Sequence, residues 1–186
     1  MSHLMYQSSA ATFLHQLKNL AAILKKAEKD AKARGIAESV ILNARLAPDM
    51  LPLTSQVQMA CDQAKGSCAR LTGTQAPAFA DDEASFAQLQ ARIKKTSAFI
   101  RTMKKGAYVG SEDRDITMEL PFGKIGFNGA DYLNGWVLPN FYFHYSNAYS
   151  ILRHNGLSIG KIDFLGMVPG MTMSGQVAKR LGIKSR

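Results

Sequence analysis

Four separate stretches of this chain repeat apolar residues at alternating steps of four and three, the spacing that keeps side chains on one face of an α-helix. In the first, Tyr6 to Arg34, the line is Phe13, Leu17, Leu20, Leu24, Ala27 and Ala31, with Gly35 placed to end it. After a short turn predicted around Val40 to Asn43, a second line runs through Leu53, Val57, Ala60, Ala64, Ser67 and Leu71, from a start near Leu51 with Pro52 in the first turn. The third line is Phe86, Leu89, Ile93, Thr96, Ile100 and Met103, with Asp81 and Asp82 as N-cap candidates and a stop at Gly106. The fourth helix is expected from Ala130 to Asn155, kinked or divided at Pro139. Four such helices point to an all-α four-helix bundle.

Between the third and fourth helices the period changes to two. Ile116, Met118 and Leu120 alternate, as do Ile125 and Phe127 on the far side of "PFGK". This predicts a small β-hairpin, which would be marginal alone and must pack on the helices, covering one end of the bundle. The connection "TGTQAPAFADD" between helices two and three is long for a hairpin of antiparallel neighbours. After "KIDFLG" no period continues, so a single domain over 1–166 and a basic tail over 167–186 are expected.

Composition narrows the function classes. At 186 residues and 46% hydrophobic content the chain can bury a self-sufficient core. No apolar run reaches the roughly 18 residues of a membrane span, and the first residues lack the basic start of a secretory signal. A cytoplasmic protein with no membrane partner is therefore expected. Cys61 and Cys68 would stand about 10 Å apart along one helix, too far for a disulfide, and are expected as buried small hydrophobes. The net charge of +9 suggests anionic partners, yet the lysines and arginines, Arg92 among them, are dispersed and interleaved with acids. They fit solvated helix faces, and no nucleic-acid recognition motif accompanies them.

The segment "PNFYFHYSNAY", residues 139–149, poses the functional question. Asn140, His144 and Asn147 lie on one stripe of an otherwise aromatic helix, beside a more apolar line through Val137, Phe141, Tyr145, Ala148 and Leu152. Gln56 flanks the seam of helix two and can look inward. The candidate ligand pocket is thus Gln56, Asn140, His144 and Asn147, with His144 the candidate catalytic residue, an imidazole titrating near neutrality. The alternative is an internal network in which amides and imidazole satisfy one another. His15 is expected at the surface, His154 at a helix end as a cap, and Arg45 with Asp49 as a loop-fixing ion pair or an anion receptor. Trp136, Phe141, Tyr142 and Phe143 are expected in the core or at a subunit interface.

Three segments, "SVILNARLAPDMLPLTSQVQMACDQAKG", "DDEASFAQLQARIKKT" and "LPNFYFHYSNAYSILRHNGLSIGKIDFLG", carry a resemblance. Over residues 3–166 the chain resembles a bacterial family of unknown function, about 170 residues long, grouped with the DinB/YfiT-like four-helix bundles. The resemblance implies an up-down-down-up order with the crossover between helices two and three. Many proteins of that superfamily are regarded as metalloenzymes. They hold a divalent ion such as zinc or nickel with one histidine on helix two and two on helix four. Matching positions put His144 at one of these, with Asn140 and Gln56 where the others stand. Imidazole is a strong ligand for such ions and a neutral amide a poor one. The set would hold metal weakly unless a carboxylate such as Asp49 or Asp62 joined it.

The expectation is a DinB-like bundle with a degenerate inner metal site, assembled as a homodimer and open to a small metabolite. One alternative is a metal-dependent transferase of the superfamily's thiol-transferase type. The other is a non-enzymatic stress-related or nucleic-acid-associated binding protein.

Overall fold

The seams become buried faces. A helical turn at Leu4–Tyr6 and a π-helical turn at Gln7–Ala11 lead into α1, Thr12–Ala33, and a short α2, Glu38–Leu42, follows. After a loop come α3, Leu53–Thr72, and α4, Phe86–Thr102. The hairpin is β1, Asp115–Leu120, and β2, Gly123–Asn128. Beyond a turn at Gly129–Asp131 and π-helical Tyr132–Val137, α5 occupies Leu138–His154 and a one-turn α6 occupies Lys161–Leu165. The structure, a computed structural model, describes residues 3–172, 174 and 176. Lys179, Arg180, Lys184 and Arg186 of the expected basic tail lie outside the described residues.

Contacts between helix ends fix the directions. Thr54 Oγ1 donates to Leu42 O at 3.1 Å, so α3 starts where the α1–α2 unit finishes and runs back against α1. Asp62 meets Arg92 and Thr72 meets Met103, which makes α3 and α4 parallel. Arg70 on the last turn of α3 reaches Tyr132 at the start of the fourth bundle segment, so α5 returns antiparallel to α3. Phe13 packs on Phe141 at 4.9 Å and Arg34 donates to Asn155 O, placing α5 parallel to α1. The order is up-down-down-up.

Two parallel helices in sequence need a connection that travels back along the bundle, and residues 73–85 do this. They are held to the bundle by charge. Phe79 lies 4.1 Å under Lys65 Nζ, while Arg92 donates to Ala80 O and contacts Asp81 and Glu83 at 2.9 and 3.1 Å. Arg92 is therefore not on a solvated face as its sequence context suggests; it is 2% exposed. The same contact moves the cap of α4. Asp81 is drawn to Arg92, and Ser85 is the N-cap, its Oγ accepting from Gln88 N at 3.2 Å.

Pro139 sits in the first turn of α5, where its missing N–H costs least, and the π-helical turn before it marks the division. The hairpin pairs Ile116 with Phe127 and Met118 with Ile125, turning this row toward the bundle. Ile116 and Met118 are buried, and Phe127 packs on Tyr132 and Trp136 at 5.8 Å each. Gly129 allows the chain to pass under residues 111–112: a Cβ there would lie 1.7 Å from Ser111 O.

At the other edge α6 docks on α1 and α5 through its main-chain carbonyls. Tyr145 Oη donates to Phe164 O at 2.9 Å, and Asn19 Nδ2 donates to Leu165 O at 2.9 Å. His15, expected at the surface, is half-buried, with Nε2 2.7 Å from the same Leu165 carbonyl. Phe164 stacks on Tyr145 at 4.3 Å. A segment whose helix is one turn long is thus held by four side chains of the bundle, since Lys26 of α1 also pairs with Asp163.

Candidate functional site

Gln56 lies in the first turn of α3 and His144 near the middle of α5, and the antiparallel packing of these helices brings them together. Gln56 is 1% exposed and His144 7%. His144 Nδ1 is 2.8 Å from Gln56 Oε1, and Gln56 Nε2 donates to Leu51 O at 3.1 Å. The chemistry of the partners fixes the protons. A main-chain carbonyl only accepts, so the amide nitrogen must face Leu51 and the amide oxygen must face the ring. The ring nitrogen at Nδ1 therefore carries the hydrogen. Burial holds the imidazole below the ordinary histidine range, so it is neutral at neutral pH. In that form Nε2 keeps a free lone pair.

The remaining stripe residues do not join this pair. Asn140 is half-buried and turns back along its own helix, its Nδ2 donating to Trp136 O at 2.7 Å. Asn147 is half-buried too, and its Nδ2 is enclosed without a hydrogen-bond partner among the described residues. The four-residue pocket of the sequence prediction thus resolves into one bonded pair, Gln56 and His144, with two amides further along the same helix.

This donor set does not fit zinc or nickel. Of the three positions that the resemblance sets against the superfamily's ligands, one is an imidazole, and Gln56 spends its oxygen on that imidazole's Nδ1–H. What is left is His144 Nε2 and the amide oxygen of Asn140, too few and too weak for either ion. Neither carboxylate that could have helped joins them: Asp62 pairs with Arg92 and Lys65 at 3.0 Å each, and Asp49 is exposed on the loop before α3. Among the described residues, no three His, Cys, Asp or Glu side chains cluster to share an ion.

Other expectations sort by geometry. Arg45 does not pair with Asp49; its guanidinium donates to Met50 O, inside the loop that leads into α3. His154 is exposed, and the last carbonyls of α5 accept from other residues: Ile151 O from the main chain and side chain of Asn155, Leu152 O from Leu157 N and Arg153 O from Gly156 N. Cys61 and Cys68 are free and buried, and burial pushes both thiols up to about 12, so neither is a thiolate nucleophile at neutral pH. Phe141 is in the core, Trp136 and Tyr142 are half-buried, and Phe143 is exposed.

The charge cluster around buried Arg92 was not found from sequence. It gathers Asp62, Lys65, Asp81 and Glu83, with Gln58 Nε2 donating to Glu83 Oε2 at 2.8 Å. Burial alone would raise the Glu83 carboxyl. Hydrogen bonds from Gln58 and Arg92, with the Arg92 charge, outweigh it and hold the group below the ordinary glutamate range. The available signal was position: Arg92 precedes Ile93 of the α4 seam and follows Leu89 by three, so it borders the apolar face. Among the described residues, no helix is long and apolar enough to cross a membrane.

Comparison with known proteins agrees with this architecture. A solved structure, the crystal structure of a DinB family member protein from Shewanella denitrificans, superposes with a TM-score of 0.85. It is 36% identical over 91% of this chain and 96% of its own. No curated protein matches the chain. The model of a domain of unknown function, DUF1993, matches residues 5–165. With nearly all of the bundle inside that match, and the DinB-like helix order beneath it, the chain belongs to the DUF1993 family.

Proposed function

We propose that this protein binds a small molecule that donates a hydrogen bond to His144 Nε2, and that it does so without a zinc or nickel ion. The observation that supports this is the 2.8 Å bond between His144 Nδ1 and Gln56 Oε1, in an amide whose orientation the Leu51 carbonyl dictates. A buried imidazole held in one tautomer is an acceptor of fixed position. A hydroxyl, an N–H or a water can meet it, and the same lone pair can take a proton as a general base. Because burial disfavours the charged ring, it offers no positive charge to an anionic group at neutral pH. Asn140 and Asn147 supply further amides along the helix, and exposed Phe143, whose ring centroid is 5.3 Å from that of His144, supplies an apolar neighbour. Metal-dependent thiol transfer draws no comparable support, since the donor set is poor in imidazole.

The test is elemental mass spectrometry on tag-free, chelator-free protein beside His144→Ala, followed by an NMR screen of small alcohols, phenols and amines. The expected result is metal far below one ion per chain, unaltered by the substitution, and binding that moves the His144 ring signals. Stoichiometric zinc or nickel that disappears in His144→Ala would overturn the proposal. So would a screen in which no compound moves those signals.

A further inference from the structure

The loop between α2 and α3 bears directly on the His144 tautomer. Leu53 N donates to Ala44 O at 3.0 Å and closes residues 44–53 into a ring, and Met50 N donates to Ala47 O at 3.0 Å inside it. Among the described residues, two side chains hydrogen-bond to the main chain of 45–51. Gln56 binds the Leu51 carbonyl, and Arg45 binds the carbonyl of Met50, the residue before it. Arg45 is exposed and makes no ion pair with a carboxylate among the described residues, so its charge is spent on this carbonyl. A hydrogen bond from a charged donor is roughly twice as strong as one between neutral groups, so it adds to the two main-chain bonds that close the loop.

From this chain of bonds we infer that Arg45 is a positioning residue for His144: it holds the Met50–Leu51 main chain so that the Leu51 carbonyl fixes the Gln56 amide and, through it, the proton on His144 Nδ1. The amide has two orientations. With Leu51 O in place, its oxygen faces the ring and Nδ1 must be protonated, leaving Nε2 as an acceptor. With Leu51 O displaced, the amide can turn over and present its N–H to the ring. Nδ1 then becomes the acceptor and Nε2 the donor. The polarity of the site inverts while its residues stay the same. A surface arginine thereby sets which ligands the buried histidine accepts: hydrogen-bond donors when the loop is held, acceptors when it is not. This inference rests on the proposed role of His144 Nε2, and it is tested apart from any ligand.

The experiment is ¹⁵N NMR of the histidine side chains in the full chain above pH 7, where protonated and bare ring nitrogens resonate far apart. Wild type is expected to show His144 as Nδ1–H. Arg45→Gln is expected to lower the ratio of Nδ1–H to Nε2–H by roughly tenfold, the scale that loss of one charge-assisted bond supports. Arg45→Lys, which keeps a charged donor, is expected to restore it. Gln56→Met serves as the positive control, since it removes the acceptor altogether. A folded Arg45→Gln that keeps Nδ1–H as fully as wild type overturns the inference and leaves the proposed site intact. Wild type found as Nε2–H overturns the proposed site itself. Should Arg45→Gln fail to fold, Arg45→Met is read in the same way, with the backbone spectrum as the check on folding.

Discussion

Replacing Arg92 with methionine isolates what holds the crossover to the bundle. The substitution keeps an apolar stem of similar reach and removes the cation from three carboxylates, and the three do not suffer equally. The Asp81 side chain is 62% exposed and returns to water at little cost. Asp62 is 36% exposed and keeps Lys65 at 3.0 Å. Glu83 is the one stranded: its side chain is 9% exposed, and Gln58 becomes its remaining side-chain partner. The cost is therefore close to that of breaking one buried pair, about 3–5 kcal/mol, and at the low end because Gln58 stays. The assay is urea unfolding of wild type, Arg92→Met, Glu83→Gln and the double variant. The double variant is expected to recover about half of the loss, because an amide in place of Glu83 leaves no buried charge and can still bond Gln58. A loss below about 1 kcal/mol in Arg92→Met would refute the reasoning, since it would mean that Phe79 and the main chain hold residues 73–85 without the ion cluster. A double variant no better than Arg92→Met would refute the assignment of the cost to Glu83.

Two further perturbations address other joints of the fold. Gly129→Ala drives a Cβ to 1.7 Å from the Ser111 carbonyl, so either residues 111–112 or the start of the last bundle segment must move; a loss of about 1–3 kcal/mol is expected by thermal or urea unfolding, and an unchanged midpoint would show that the hairpin end yields freely. The depressed imidazole of His144 gives a pH signature: burial favours its neutral form in the fold, so its contribution is complete above the ordinary histidine value of 6.5 and declines as pH falls from there toward the lower folded value. Glu83, held below the ordinary value of 4.5, contributes above that value and loses its contribution only as pH falls further, through its folded value, so the two windows separate. Unfolding measured between pH 7.5 and 5.5 should show a steeper loss in wild type than in His144→Ala, and equal slopes would place the ring in water.

The helices were legible because their signal is local and repeated. Phe13, Leu17, Leu20, Leu24, Ala27 and Ala31 are all buried, as are Leu53, Val57, Ala60, Ala64 and Leu71. A four-three period depends on nothing but burial of one face, so sequence suffices for it. The hairpin was legible for the same reason at period two. What failed was partner choice between distant segments. Asp81 has the chemistry of an N-cap, and nothing in "AFADDEAS" says that an arginine eleven residues later will claim it and leave the cap to Ser85. Arg92 read as a surface charge because its carboxylates come from α3 and the crossover, two segments whose approach depends on the up-down-down-up order. His15 and Arg45 were misjudged likewise. Each satisfies a main-chain carbonyl, at Leu165 and at Met50, and a carbonyl leaves no trace in residue identity.

The polar stripe of α5 shows the same limit at the site itself. Spacing put Asn140, His144 and Asn147 on one line, and the line exists, yet the bond that gives His144 its chemistry comes from Gln56 on another helix. In a three-histidine arrangement each imidazole would turn a nitrogen toward a shared ion. Here the amide of Gln56, on α3, the second long helix of the bundle, accepts a hydrogen bond from Nδ1–H instead, and His144 is left as an oriented acceptor at Nε2. The amide can do this only because its other end is anchored, and the anchor is a carbonyl in a loop that α3 does not include. The residue at position 56 can therefore set the chemistry of His144 without moving it. On the proposed reading, the second ring nitrogen of His144 is the place to look for a ligand, and the loop from Ala44 to Leu53 carries the carbonyl that orients its amide partner.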